Sequence, residues 1–319
     1  MTDTTPAETV VIAVLTYRRP QDIALALPRL AAQAVGARTP DAPAAARVLV
    51  VDNDPDASAR EAVHAAAAQT PARIDYVHEP RPGIAAARNR ALREAAEERL
   101  LVFIDDDEVP SEGWLNHLLG TYRRTGAAAV VGPVISEFAA EPGPWVQAGD
   151  FFRRRRLPTG TEVDVAATNN LLLDLQRIRA LGLEFDERFG LSGGSDTLFT
   201  RSLATRGGRM VWCDEAVVVD KVPHGRLSRG WVLRRALRSG NSASRVSLEL
   251  SRDGIHNLGV RLRLLGPGTV RLAGGGLRYL AGVLSRSLPH EAKGLRTAAR
   301  GLGMVSGALG YVYSEYRRK

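Results

Sequence analysis

The sequence predicts an α/β protein with a single, mostly parallel sheet flanked by helices and a basic helical extension at its carboxyl end. Three observations predict it. Short apolar runs alternate with helical stretches through the first half of the chain. Most of those runs end in polar or acidic residues, as strands do where an open α/β sheet meets its ligand. From Leu227 onward the chain turns basic, leucine-rich and glycine-punctuated.

Composition sets the outer limits. The 319 residues are 45% hydrophobic, enough for one large α/β domain with an appendage. A single cysteine, Cys213, rules out an internal disulfide and fits a reducing compartment. The polar start, MTDTTPAETV, lacks the basic-then-apolar pattern of a secretion signal, and no apolar run is long enough to span a bilayer. A net charge of +8 calls for an anionic partner: nucleic acid, anionic lipid or a phosphorylated substrate.

Taken in order, Thr9–Leu15 reads as a buried first strand, followed by the Thr16-Tyr17-Arg18-Arg19-Pro20 loop and a helix over Gln21–Ala34 that Pro28 should break or kink. Gly36–Ala46 reads as a loop, and Arg47–Val51 as a second buried strand ending at Asp52 and Asn53. Ala57–Gln69 reads as helix and Arg73–Val77 as a third strand. The loop Glu79–Gly83 then opens a helix over Ile84–Glu98 with Arg88 and Asn89 in its first turns. Leu100–Ile104 is a strand buried on both faces, and it runs straight into Asp105, Asp106 and Asp107. A helix over Pro110–Thr125 and a strand over Ala127–Ile135 follow. Glu141–Pro158 is irregular and carries the run Arg153–Arg156. Ala166–Leu173 is a further strand, Gln176–Leu181 a short helix, and a last helix follows Gly193-Gly194-Ser195-Asp196 to about Arg206. Met210–Val219 supplies a final short strand and loop.

Three adjacent carboxylates at a strand end repel one another unless a positive group sits there. A divalent metal is the simplest candidate, because hard cations take oxygen ligands. A polar turn capping the next helix is the alternative. The first strand is not followed by a G-x-G-x-x-G loop, which argues against a dinucleotide-binding dehydrogenase, and G-x-x-x-x-G-K-[ST] is absent, which argues against a P-loop NTPase. The basic nucleic-acid-binding class fits the charge but not the acidic strand ends, which repel phosphate. A nucleotidyltransferase would need a glycine-rich basic loop after the first strand, and none is present.

Five segments together resemble the family 2 glycosyltransferases with a GT-A fold. Thr9–Tyr17 resembles the family's opening strand and loop, and Arg47–Asn53 its second strand ending in aspartate. Gly83–Ala91 is similar to G-x-x-x-A-R-N-x-G/A, and Ile104–Glu108 to the D-x-D element. Phe185-Asp186-Glu187-Arg188-Phe189 with Gly193-Gly194-Ser195-Asp196 resembles F-D-E-x-F…G-G-x-D. These segments cover residues 9–225 and imply a nucleotide-sugar-binding catalytic domain over 1–225, with a basic amphipathic helical region over 226–319. Within the family the chain most resembles the polysaccharide-building branch that includes succinoglycan glycosyltransferases, to which Trp231–Asn241 and Gly310–Tyr316 also bear a likeness.

The resemblance implies an inverting, metal-dependent transferase that moves a sugar from a nucleotide donor, a UDP-sugar, to a saccharide or lipid-linked saccharide. It implies Mg²⁺ or Mn²⁺ held by Asp107 with Asp105, and ribose contact by Asp105 or Asp106. Asp52, Thr16 and Tyr17 would lie at the base or ribose, with Arg88 and Asn89 binding nucleotide or bracing the aspartates. Asp196 would be the general base, with Ser195 where relatives often carry glutamate. Asp220 or His224 would complete the metal site. Asn169 and Asn170 would line a sugar pocket, Trp114 and Trp145 would stack on sugars or sit in the core, and Arg153–Arg156 would attract a diphosphate or form a solvated run. The expected location is cytoplasmic, peripheral on the inner membrane face, through arginine-flanked amphipathic helices. A soluble transferase with a small-molecule acceptor, its basic C-terminal helices packed on the protein's own core, is the alternative.

Overall fold

Buried apolar runs lay down the sheet. In the computed structural model, which describes residues 9–38, 44–251 and 256–313, the elements run in this order. The amino-terminal half holds β1 (Thr9–Thr16), α1 (Pro20–Val35), β2 (Ala45–Asp52), α2 (Arg60–Ala67), β3 (Ile74–His78), α3 (Ile84–Glu94), β4 (Leu100–Asp105), β5 (Glu108–Pro110), α4 (Trp114–Thr125) and β6 (Ala129–Val131). Then come β7 (Val134–Phe138), α5 (Pro144–Gly149), β8 (Asn170–Asp174), α6 (Leu175–Ala180), α7 (Ser195–Thr205), β9 (Met210–Trp212) and β10 (Val218–Val222). Three long helices close the chain: α8 (Arg229–Leu250), α9 (His256–Leu284) and α10 (Leu288–Ala308).

The chain forms two compact units. One comprises residues 1–135, 154–187 and 199–220, and the other residues 136–153, 188–198 and 221–319. The first holds a seven-stranded sheet in the order β3-β2-β1-β4-β8-β6-β9. β1 pairs in parallel with β2 and β4, and β2 with β3, while β8 runs antiparallel to both β4 and β6. Every residue from Val10 to Leu15 is buried, as is the whole of Leu100–Ile104, so these strands are covered on both faces. One layer of core, with Leu27, Leu30, Trp114 and Leu118, covers one face, and another, with Ala87, Phe103, Phe185 and Phe199, covers the other.

Several boundaries differ from the sequence reading. Pro28 lies inside an unbroken α1, and Pro20 stands in that helix's first turn. The expected helix from Pro110 begins only at Trp114, because Glu108–Pro110 pairs with β10 as β5. The single strand expected over 127–135 is two, broken at Gly132-Pro133, where a Cβ on Gly132 would collide with the Ala216 carbonyl and the Asn170 amide. β8 spans Asn170–Asp174 and is antiparallel. Part of the expected loop over Gly36–Ala46, residues 39–43, lies outside the described residues.

The second unit is built on α8, α9 and α10, and α10 meets the other two backbone to backbone at glycines. A Cβ on Gly303 would strike the Leu237 carbonyl, on Gly240 the Arg300 carbonyl, and on Gly275 the Ala298 nitrogen. The two segments likened to the polysaccharide branch meet here. The Asn241 amide donates to the Tyr311 carbonyl at 2.9 Å and accepts from the Tyr313 N–H at 3.3 Å. Residues 314–316 of the second segment lie outside the described residues.

Candidate active site

The parallel register brings the chemistry to one level. Thr16 on β1 stands beside Asp52 on β2, and Leu15 beside Asp105 on β4. The order 3-2-1-4 reverses direction at β1, and in open α/β sheets ligands bind at the carboxyl ends of strands where that reversal falls.

An acidic cluster occupies the end of β4. The Thr16 hydroxyl donates to Asp106 at 2.8 Å. Arg19, from the loop after β1, donates through one Nη atom to Asp106 at 2.9 Å and to Asp107 at 3.1 Å. Glu108 accepts from the Asp105 N–H at 3.2 Å and from the Asn169 amide at 2.7 Å. Asp220 lies opposite Glu108 in the β5–β10 ladder and is ion-paired to Arg154. The charges act on one another. Burial first, with Asp107, Asp106 and Asp220 adding to it and Arg88 opposing, raises the Asp105 carboxyl to about 7. Burial raises Asp106 to about 6 against the pull of Arg19 and Thr16. Glu108 is raised well above its ordinary value by burial first and by Asp105 next. Crowded, desolvated carboxylates of this kind favour either protons or a cation.

The β2 end of the sheet edge is tied tightly. Asp52 is fully buried, and its carboxylate accepts from the Asp54 N–H at 3.0 Å, the Ala59 N–H at 2.9 Å and the Tyr76 hydroxyl at 3.0 Å. It therefore holds the turn that leads into α2. Asn53 donates to the Glu79 and Arg81 carbonyls, each at 2.7 Å, and ties in the loop before α3. Arg18 pairs with Asp54 at 3.3 Å and lies over the Tyr17 ring, 5.4 Å from its centroid.

Arg88 and Asn89 divide their work. Arg88 is the charge that opposes Asp105's rise, and it sits 5.4 Å from the Phe185 ring centroid. Asn89 exchanges two hydrogen bonds with the Phe185 backbone, donating and accepting at 2.8 Å. It braces the Phe185 segment rather than the aspartates. Asn170 is a structural knot: it accepts from the Trp114 indole at 2.9 Å and donates to the Pro133 and Ala216 carbonyls. Trp114 is fully buried, so the core reading of that residue holds and sugar stacking does not. The arginine run is engaged within the chain, Arg154 with Asp220 and Arg156 with Asp214 at 2.8 Å.

In the second unit, Asp196 stands in the first turn of α7 and accepts from the Thr197 N–H at 2.7 Å. The two glycines before it take φ of +79° and +96°, so the backbone itself requires glycine there. His224 belongs to a short turn, His224–Arg226, in the same unit. Among the described residues no three His, Cys, Asp or Glu side chains are disposed as a ready-made metal cage.

Sequence reasoning assigned no role to Arg19 or Glu108. Arg19 sat in a quoted loop, and Glu108 closed the acidic run, but their partners lie far off in sequence: Asp106 for Arg19, and Asn169 and Asp220 for Glu108.

Comparison with known proteins bears on the family and the fold. Residues 11–174 match the family described as Glycosyl transferase family 2. The chain is 36% identical over 302 residues to the succinoglycan biosynthesis protein ExoM of Rhizobium meliloti (strain 1021), covering 94% of this chain and 92% of that protein. Among solved structures it resembles GalNAc-T7 crystallised with UDP, GalNAc and Mn²⁺, with a TM-score of 0.53 and 11% identity over 75% of this chain and 51% of that one. It also resembles S. aureus TarS, with a TM-score of 0.50 and 15% identity over 92% of this chain and 55% of that one. At those identities the two structures bear on the fold alone, and the fold is GT-A. The chain belongs to the family 2 glycosyltransferases.

Proposed function

We propose that the protein transfers a sugar from a nucleoside-diphosphate donor, a UDP-sugar, to a lipid-linked saccharide, with inversion at the anomeric carbon. The product would feed a cell-surface polysaccharide of the succinoglycan type, and the protein would work peripherally at the inner membrane face. The observation that carries the reading is the acidic cluster of Asp105, Asp106, Asp107 and Glu108 at the β1/β4 crevice. The 36% identity to a protein named for succinoglycan biosynthesis supports the product class.

The cluster fits a divalent cation. Its donors are hard carboxylate oxygens, and burial with mutual repulsion leaves Asp105 and Glu108 in need of positive charge. Mg²⁺ needs only one or two carboxylates when substrate phosphates and water fill the remaining positions, so a three-residue cage is not required. Asp107 and Asp105 would hold the ion. Once bound, it would supply charge neutralisation for the departing diphosphate. Arg19 adds a cation of the chain's own at the same edge, and Thr16 orients Asp106. Asp52 serves the base pocket through the turn it holds, with Thr16 in register beside it, Tyr17 following Thr16 in the chain, and Asn53 fixing the neighbouring loop. Arg88 balances Asp105, and Asn89 secures the Phe185 segment.

Asp196 would be the base. As the acceptor hydroxyl attacks the anomeric carbon, its proton passes to the Asp196 carboxylate, and the carbon–oxygen bond to the diphosphate breaks with the electron pair leaving on that oxygen. A thermal-shift screen of nucleotide sugars with and without Mn²⁺ tests the donor reading. The expected result is a rise in melting temperature with one UDP-sugar, larger with Mn²⁺ present. No shift with any nucleotide sugar would overturn it.

A further inference from the structure

The contact between α9 and α10 is packed inside out. On α9, Gly268, Gly275 and Gly282 recur every seven residues, are buried, and face α10. Several large apolar side chains of the same helix point the other way. Leu262, Val270, Leu277, Leu280 and Leu284 are exposed, Leu277 at 68% and Leu284 at 86%. Leu277, Leu280 and Leu284 follow the i, i+3, i+7 spacing of one helical face, with Val270 one heptad before Leu277. An ordinary amphipathic helix of a soluble core turns its leucines inward and leaves small or polar residues outside. Small residues at the helix contact, with leucine outside, is the arrangement of helices whose outer face meets lipid.

The charge is arranged to match. Arg263, Arg271 and Arg278 are all exposed and lie eight and seven residues apart, along one flank of the leucine face. α9 contains no acidic residue. A second copy of the chain on this face would set these arginine rows against each other in an antiparallel two-fold pairing, and would leave them unneutralised in a parallel one. An anionic surface neutralises them while the leucines leave water. No described helix is long and apolar enough to cross a membrane, so the helix would lie along the surface.

We infer that the outward face of α9 is a docking surface for an anionic lipid membrane. The inference deepens the peripheral, lipid-linked reading above by naming the surface that makes the contact. Its test reads membrane binding separately from donor chemistry. The full chain is floated through a density gradient with vesicles of phosphatidylcholine alone or of phosphatidylcholine containing phosphatidylglycerol. The wild type is expected to float with the phosphatidylglycerol vesicles, and less so as salt is raised. Leu277→Glu with Leu280→Glu should abolish flotation. Arg263→Gln with Arg271→Gln and Arg278→Gln should abolish the preference for phosphatidylglycerol. Unchanged circular dichroism and an unchanged thermal shift with donor show that these variants remain folded, and a lost donor shift in the wild type would count against the transferase reading alone. Wild-type protein that stays at the bottom of both gradients overturns the inference. So does flotation that survives the leucine substitutions, or a dimer that those substitutions dissolve without any vesicle binding by the wild type.

Discussion

The two units use glycine, leucine and charge in opposite ways. In the sheet unit, large apolar side chains fill the inside, from Val10 through Phe103 to Trp114, and charge gathers at the strand ends. In the helical unit, glycines line the contacts of α10 with α8 and with α9, while leucines and arginines of α9 face outward. The first arrangement makes a rigid edge on which carboxylates can be crowded and desolvated. The second joins its helices closely and leaves an apolar face of α9 outward. Each suits the role proposed for it: a precise polar site needs a stiff hydrophobic scaffold, whereas a lipid-facing surface needs its apolar atoms outside.

Substitutions can break that comparison at either end. The largest effect is expected at the proposed base. Asp196→Ala should lower the transfer rate by about 100-fold or more, within the usual range for a general base, and leave the melting temperature near that of the wild type. Initial-rate measurement checks it, and near-normal turnover would remove Asp196 from the mechanism. In the sheet unit, Trp114→Ala opens a cavity in the core and strands the Asn170 carbonyl. It should cost about 3–5 kcal/mol in denaturant unfolding. In the helical unit the sensitive positions are the small ones. Gly303→Leu drives a side chain into the Leu237 carbonyl and should cost at least about 1–3 kcal/mol, whereas Leu284→Ser on the outer face should stay within about 0.5 kcal/mol. The reverse order in thermal melts would contradict the inside-out description.

Most of the sheet was legible in the sequence, and the reason is local. β1, β2 and β4 are buried on both faces, so their apolar runs are unbroken and end at polar residues. β5 was missed because a three-residue strand has no periodicity, and its pairing with β10 spans over a hundred residues. The antiparallel direction of β8 depends on where a long irregular segment returns the chain, which no local pattern records. The site followed the same rule. The aspartates announced themselves as a run of like charge, but Arg19, which bridges two of them, looked like one arginine among many. Asp52 was placed at the correct strand end, yet its burial against Ala59 and Tyr76 is a matter of tertiary contact. The exposed leucines of α9 were read as an amphipathic pattern. Which side faced water was decided by the glycines at the α9–α10 contact.

A smaller effect separates the two kinds of burial. Burial pushes the Cys213 thiol above its ordinary value, and the Glu215 carboxylate adds to the shift. Less thiolate is then present at any given pH, so labelling by a thiol reagent at about pH 8 should be slow in the native chain and complete once the chain is unfolded. Rapid native labelling would show that the core around β9 opens readily.

The central claim is that the acidic end of β4 binds the donor diphosphate. Donor binding by wild type, Asp107→Ala and Asp196→Ala, followed by thermal shift with a UDP-sugar and Mn²⁺, tests it most directly. At about 100 times the dissociation constant, binding stabilises a protein by about 2.7 kcal/mol, a shift that is readily measured. The wild type and Asp196→Ala are expected to show that shift and Asp107→Ala to lose it. An equal shift in all three proteins would place the donor elsewhere and contradict the account.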